Sequence, residues 1–375
     1  MKIALLTMVF NNNYGGLLQA YALQEYLKGL GHEVVLINAQ RKLPPLIQAP
    51  YTICKRLGLK YIMKRDVDFI IPEWVFRERI KKREKNTKAF ISKYFNSKTK
   101  TVYTNKGIRK VAKNFDCFIV GSDQVWRPTM YPFINSAFFG FVKDSRVRKI
   151  SYAASFGSDI WEYTAEQTDS FKKQIQLFDL VSVRESSGVA LCKRNFNVDA
   201  VCLIDPTMLL EKGHYEELMG KERESSSTGR PQIFCYFLDE TEDKRQLLNL
   251  VVRHKGYAVN MFPLLKNHRM NFIYPKVSLW LKGFRYADFV VTDSFHGCVF
   301  SIIFNKPFVA YGNVRRGLDR FRSLLNLFGL KNQLILSTKE FKVETLDEEI
   351  DWEKINKKIK EEQEKTKSFF SLARL

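Results

Sequence analysis

The sequence predicts an α/β fold made of two doubly wound halves that face each other across a cleft, with a basic helical insertion in the first half. Two observations carry this reading. Short apolar runs alternate with amphipathic helical patterns along most of the chain, as βαβ units around a parallel sheet require. The alternation then restarts after a polar Ser/Gly/Pro run at 222–231, which reads as a boundary. The 375 residues suffice for two separate cores. A hydrophobic content of 45% and an aromatic share of 14% exclude a disordered chain.

In chain order, KIALLTM and EVVLIN read as strands around a helix that begins near Gly16. Leu17, Tyr21, Gln24 and Leu27, with Leu18 and Leu30, recur at helical spacing, and Gly29 and Gly31 supply stop signals. Residues 43–103 break the rhythm. Pro44, Pro45, Pro50 and Pro72 punctuate a basic stretch in which Val75, Phe76, Ile80, Phe90, Ile91, Tyr94 and Phe95 keep a loose helical stripe. Strand patterns resume in DCFIVGSD, KISYAASFG, LVSVRE and AVCLIDPT, with helices in EYTAEQTDSFKKQIQLFD and SSGVALCKRNF. In the second half QIFCYFLD, YAVNMF, FVVTDS and PFVAYG read as strands. TEDKRQLLNLVVRHKG, 280–287 and 297–305 read as helices. The C-terminal stretch DEEIDWEKINKKIKEEQEKTKSFFSLARL carries helix-supporting charge pairs. The expected units are 1–222, 231–338 and a helical segment over 339–375.

The formal net charge of +21 is unevenly spread. From Cys54 to Asn114 there are 19 Lys and Arg against 5 Asp and Glu. A solvated helical face is one reading. The other is an anionic partner: membrane headgroups, a diphosphate-linked substrate or nucleic acid. No helix-turn-helix, zinc-finger or RNP-like pattern accompanies the charge, so nucleic acid is not expected. The six cysteines form no C-x-x-C pair and several lie in apolar runs, so neither a disulfide framework nor a zinc site is expected. Met1 to Met8 carry one Lys and an apolar run far too short for a bilayer. A first strand is expected there, and with it a cytoplasmic protein.

Doubly wound sheets bind ligands beyond the carboxyl ends of their strands. Asn11, Asn12, Asn13, Tyr14, Gly15 and Gly16 follow the first strand and open its helix, where unpaired backbone N–H groups favour anions. A plain Asn-rich cap is the alternative, and the absence of G-x-G-x-x-G argues against a dinucleotide. Gly121, Ser122, Asp123, Gln124 and Trp126 suit a carbohydrate or phosphate pocket, with Asp123 as a mere helix cap the alternative. SYAASFG places Ser155 at a strand end, and CLIDPT places Asp205 before the strand-breaking Pro206. Arg184, followed by Glu185, suits bidentate binding of carboxylate or phosphate, or else a structural ion pair. The sharpest element is VVTDSFHGCVFSIIFNKPFV. There His296, beside Asp293, Ser294 and Gly297, sits at a strand-to-helix turn as a general acid or base candidate.

Taken in order, NYGGLLQAYALQEYLKGLGHEV, DCFIVGSDQVW, SYAASFG, SVRE, DPTMLL and TDSFHGCVFSIIFNKPFV resemble the polysaccharide pyruvyl transferase family over about residues 2–330. The resemblance implies a GT-B-like pair of Rossmann-like domains. It also implies transfer of pyruvate from phosphoenolpyruvate to two hydroxyls of a galactose-like or mannose-like sugar, as a cyclic ketal, with release of phosphate. His296 matches the family's catalytic histidine and Arg184 an arginine expected to hold the donor; no metal or cofactor is implied. Characterised members often carry Arg where this chain has Ser294, so Arg320, Arg315 or Arg316 would have to supply that charge. Arg127 also departs from the expected small polar residue and falls to acceptor recognition. A polyprenyl-diphosphate-linked acceptor would give the basic insertion a role at the anionic inner face of the cell membrane. Two rival functions fit the same residues: a GT-B glycosyltransferase using a nucleotide sugar, since fold does not fix function, and a non-catalytic protein binding anionic glycan or lipid.

Overall fold

The structure is a computed structural model that describes residues 1–10, 12–64, 70–72, 75–220, 231–263, 272–313 and 317–375. Asn11, Arg315, Arg316 and most of the 222–231 boundary run lie outside the described residues.

The first sheet comprises β1 (Lys2–Leu6), β2 (Glu33–Leu36), β3 (Cys117–Asp123), β4 (Arg148–Ala154), β5 (Leu180–Val183) and β6 (Val201–Cys202). All pairs are parallel, in the order β2-β1-β3-β4-β5-β6. The second comprises β7 (Gln232–Tyr236), β8 (Ala258–Met261), β9 (Phe289–Thr292), β10 (Phe308–Tyr311) and β11 (Leu334–Ile335), again parallel, in the order β11-β10-β9-β7-β8. Counted from its own first strand and read from the other edge, the second sheet repeats the winding with which the first begins. Each half therefore has a point where the winding reverses, between β1 and β3 and between β7 and β9. Helices cover both faces, so central strands such as β3 are buried throughout and read as continuous apolar runs.

Helix α1 (Tyr14–Gly29) starts two residues before the sequence suggests, because the Asn13 side chain accepts the Gly16 N–H at 3.2 Å and caps it. Gly31 follows its end with φ 86°, a left-handed conformation suited to glycine. Most of α1 is buried, because the insertion and the last helix pack on it as well as the sheet. The insertion contains α2 (Ala49–Leu57), α3 (Arg77–Arg83) and α4 (Lys85–Tyr94). Tyr21 of α1 meets Phe90 and Tyr94 of α4 edge-on. After α5 (Asn105–Val111) and the short α6 (Ile134–Ala137) comes α7 (Ala165–Ile175), opened by a Thr164–Gln167 capping box. Then follow α8 (Ser186–Leu191) and α9 (Lys212–Met219).

The small residues of SYAASFG have a structural cause. The register between β4 and β5 shifts between Ser151 and Ala154, with φ 46° at Ala153. The Ser151 hydroxyl donates to the Ser182 carbonyl at 3.0 Å, and the Ser182 hydroxyl accepts the Ala153 N–H at 2.9 Å. Hydroxyls thus replace the broken ladder of a bulge and re-aim the strand end that carries Ser155.

The second half carries α10 (Glu242–Lys255), α11 (Val277–Tyr286), α12 (Phe295–Ile303) and α13 (Asp319–Leu327). The last helix, α14 (Trp352–Leu372), returns to the first half. Phe370 stacks on Tyr152 at 5.2 Å, the Thr366 and Tyr152 hydroxyls are 3.2 Å apart, and Lys365 Nζ donates to the Cys202 carbonyl at 2.8 Å. One apolar core runs through both halves, where Tyr14 stacks on Trp280 and Tyr215 meets Phe300. Among the described residues no helix is long and apolar enough to cross a membrane.

Candidate active site

The residues that cluster between the halves come from strand ends of both sheets. Asp123 ends β3, Arg184 follows β5, Asp205 follows β6, His296 lies in the first turn of α12 after β9, and Arg320 lies in the first turn of α13. All five are buried. Arg184 Nη1 donates to Asp205 Oδ2 at 2.7 Å and Nη2 to Asp123 Oδ1 at 3.2 Å. His296 Nε2 stands 3.5 Å from the same Asp205 Oδ2, and Arg320 Nη1 stands 3.7 Å from Asp123 Oδ1. The guanidinium groups of Arg184 and Arg320 lie 4.3 Å and 5.6 Å from the centroid of one ring, Phe295. That residue precedes the histidine and offers both cations a π-face.

Asp205 anchors the cluster. Its Oδ1 accepts the Thr207 N–H and hydroxyl at 3.1 Å and 2.8 Å, and its Oδ2 also accepts the Ser122 hydroxyl at 3.1 Å. Burial alone would push this carboxyl up, but His296 and Arg184 beside it hold it well below the usual carboxylate range. Asp123 is lowered in the same way, with Arg184, His296 and Arg320 overcoming burial, and its φ of 64° is a left-handed conformation for a non-glycine residue. Burial, with the charge of Arg184 close by, pushes the Arg320 guanidinium down to about 10. The resulting site holds a histidine against an ionised carboxylate and two buried cations. Arg184 Nε and His296 Nε2 have no hydrogen-bond partner among the described residues. Such a group can position an anion and exchange a proton with it.

Gly15 bears directly on the histidine. A Cβ at Gly15 would fall 2.2 Å from His296 Cγ and Nδ1, so the NNNYGG turn is the wall against which the imidazole rests. The other described residues of that turn make structural contacts. Asn12 Oδ1 accepts the Thr87 hydroxyl of α4 at 3.1 Å, and the Gly16 N–H is taken by the cap. Tyr14, expected to face a ligand, is fully buried between the halves, with its hydroxyl donating to the Pro275 carbonyl at 2.9 Å. Trp126 is likewise in the core, stacked on Phe138 at 5.3 Å. Both are withdrawn from a ligand because their apolar bodies fill inter-element gaps.

Ser294 caps α12, accepting the Gly297 N–H at 3.3 Å, so its side chain orients the histidine helix. Gln124 Oε1 accepts from Arg127 at 3.0 Å, and Arg127 also pairs with Glu162 at 2.8 Å. Ser155 donates to Glu185 Oε1 at 3.0 Å, which also accepts the N–H groups of Phe156 and Gly157. The ion-pair partners of Arg184 are therefore Asp123 and Asp205, while its sequence neighbour Glu185 pins the SFG turn. Burial raises the Glu185 carboxyl above its ordinary value.

Three buried residues at or beside these strand ends escape the sequence reading. Phe295 was hidden by its apolar neighbours. Glu185 was visible only as a neighbour of Arg184. Lys244, in the first turn of α10, is buried and pairs with Asp239 and, at 2.6 Å, with Asp293 at the end of β9. A lysine one turn into a helix after a strand was its only signal. An open cavity of about 580 Å³ at the same sheet edge is lined by Arg41, Tyr103, Asn105, Thr129 and Met130, away from the His296 cluster.

The fold and the cluster define an α/β protein of two parallel sheets in which a histidine, two carboxylates and two arginines meet between the halves. The family model for polysaccharide pyruvyl transferases matches residues 13–313, and the chain belongs to that family. It is a transferase family, with members acting in polysaccharide biosynthesis. No curated protein matches the chain in sequence. Among solved structures, the UDP-N-acetylglucosamine 2-epimerase from Rickettsia bellii is similar, with TM-score 0.49, 10% identity, and 99% of this chain and 96% of that chain covered. So are the UDP-GlcNAc 2-epimerase of Methanocaldococcus jannaschii in complex with UDP-GlcNAc and UDP (0.48, 10%, 92% and 92%) and an alpha-glucosyltransferase in complex with UDP and a 13-mer DNA (0.47, 11%, 98% and 92%).

Proposed function

We propose that this chain moves pyruvate from phosphoenolpyruvate onto two hydroxyls of one sugar in a surface polysaccharide or its lipid-linked precursor, releasing phosphate. The observation that carries the reading, beside family membership, is the His296–Asp205–Arg184 constellation buried between the halves. The donor carries a carboxylate and a phosphate, so it needs fixed cations, and its methylene carbon must gain a proton while a hydroxyl attacks C2. Arg184 and Arg320 are the cations for the donor. His296 Nε2 is the proton donor, and the Asp205 carboxylate 3.5 Å away positions the imidazole.

The first sugar hydroxyl forms the C2–O bond as the methylene becomes a methyl, and its own proton returns to His296. The C2–O bond to phosphate then breaks with its electron pair on the leaving phosphate. The second hydroxyl attacks the same carbon and closes the ketal, and its proton passes to the released phosphate. Phosphoenolpyruvate and a diol thus become a ketal and phosphate, with no redox change and no cofactor in the scheme. The cytoplasm is the compartment that supplies this donor.

Purified protein given phosphoenolpyruvate and a synthetic glycoside should release phosphate and add the mass of a pyruvyl ketal. His296→Ala should lower the rate by about 10²–10⁴, the usual range for a positioned acid. Unimpaired turnover in the alanine variant would remove His296 as the acid. Thermal stabilisation by UDP or CMP, with none by phosphoenolpyruvate, would replace the reading with nucleotide-sugar transfer.

A further inference from the structure

The basic insertion contains an element for which the described residues provide no core. Between Gln40 and Asp66 the sequence carries seven Lys and Arg and not one Asp or Glu. Over 46–64 this stretch forms a short turn, α2 and a wider π-turn at Gly58–Ile62, and none of those residues is buried. Its large apolar side chains lie open: Ile47 is 87% exposed, Ile62 83%, Tyr51 73% and Tyr61 69%. Scattered exposed apolar residues are ordinary on a protein surface. Four within sixteen residues, interleaved with Lys55, Lys60 and Lys64, are a patch.

We infer that residues 46–64 are a membrane-interface element that docks this protein on a bilayer rich in anionic lipid. Aliphatic and aromatic side chains with cations around them are the composition that lies in the headgroup layer, the rings and chains in the acyl boundary and the ammonium groups at the phosphates. The charge fixes the occupant. A run of cations without one acidic residue is complementary to a negatively charged surface, and each Lys near such a surface adds to the attraction. The place in the fold agrees. The segment leaves the first sheet at the carboxyl end of β2, the same edge from which Asp123 and Arg184 reach the cluster. Arg41, at its root, donates to the Met130 carbonyl at 2.8 Å, on the loop that continues from Asp123. A docked molecule would turn that edge toward the lipid surface. The inference does not depend on pyruvyl transfer.

The test is sedimentation of the full chain with phosphatidylcholine vesicles, with and without phosphatidylglycerol. The protein should bind the anionic vesicles at least about tenfold more tightly than the neutral ones and be released by high salt. A double variant, Ile47→Gln with Ile62→Gln, and a charge variant, Lys55→Gln with Lys60→Gln, should each weaken binding by about tenfold or more. All four residues are exposed, so both variants should keep the melting temperature of the parent. Equal affinity for neutral vesicles, no binding by the parent, or full binding by both variants overturns the inference. So does a concentration-dependent dimer that the isoleucine variant dissolves, since the face would then meet a second copy of the chain.

Discussion

At the scale of single residues, the cluster is built by exclusion as much as by attraction. Gly15 leaves no room for a side chain, because a methyl there would overlap the imidazole of His296. Gly15→Ala should therefore displace the ring from Asp205 and lower turnover by about 10²-fold, as a misplacement of about 1 Å does, at a cost of about 1–3 kcal/mol in stability and with the circular dichroism spectrum of the parent. A variant with normal rate would show that the imidazole moves freely. His296, Arg184, Asp123 and Asp205 were legible in the sequence because each is a polar residue directly after an apolar strand, where a doubly wound sheet exposes its ends. Tyr14 and Trp126 carry the same signal and belong to the core. The sequence shows that an aromatic follows a strand, but Trp280, which stacks on Tyr14, lies far along the chain, and nothing in the local pattern shows that the next loop folds Phe138 back onto Trp126.

At the scale of elements, alternation made most strands and helices readable, and the parts that escaped are those with long-range causes. The small residues of SYAASFG look like a strand end; only the pairing with Ser182 reveals a bulge. The helical character of the last segment is plain from its charge spacing, whereas its destination is not, because nothing local distinguishes a helix that closes its own half from one that crosses to the other. Phe370 decides this: it is fully buried, stacked on Tyr152 and tilted against Tyr26 of α1. Phe370→Ala should cost about 3–5 kcal/mol of stability and release α14 from the first sheet. Limited proteolysis should then cut within 352–372 at protease levels that leave the parent intact. If the cut sites and the denaturation midpoint stay unchanged, α14 is not a strap of the first half.

For the whole molecule, the two halves are joined by an apolar core and by the charged cluster, and the proposed donor would link ligand and stability through those charges. Arg320 comes from the second half and faces Asp123 and Arg184 of the first. Burial pushes its guanidinium down to about 10, below its unfolded value, so the folded state holds the charged form at a disadvantage. For a cation with a lowered pKa the sign runs against stability. The penalty is present in full below about pH 10 and fades only as pH rises from there toward the unfolded value. A donor anion between the halves would offset that penalty and pull the halves together. Arg320→Leu should accordingly melt no lower than the parent without ligand near pH 7, since the surroundings disfavour the Arg320 charge and Asp123 keeps Arg184 as its partner, so no buried carboxylate is left unpaired. The parent's melting temperature should rise with phosphoenolpyruvate, by an increment that grows with the logarithm of its concentration above Kd, and the variant should lose most of that rise. A variant that melts several degrees lower without ligand yet keeps the full rise would mean that Arg320 holds the fold and not the donor. Differential scanning calorimetry with and without phosphoenolpyruvate separates the two, because the structural role moves the baseline and the binding role moves only the increment.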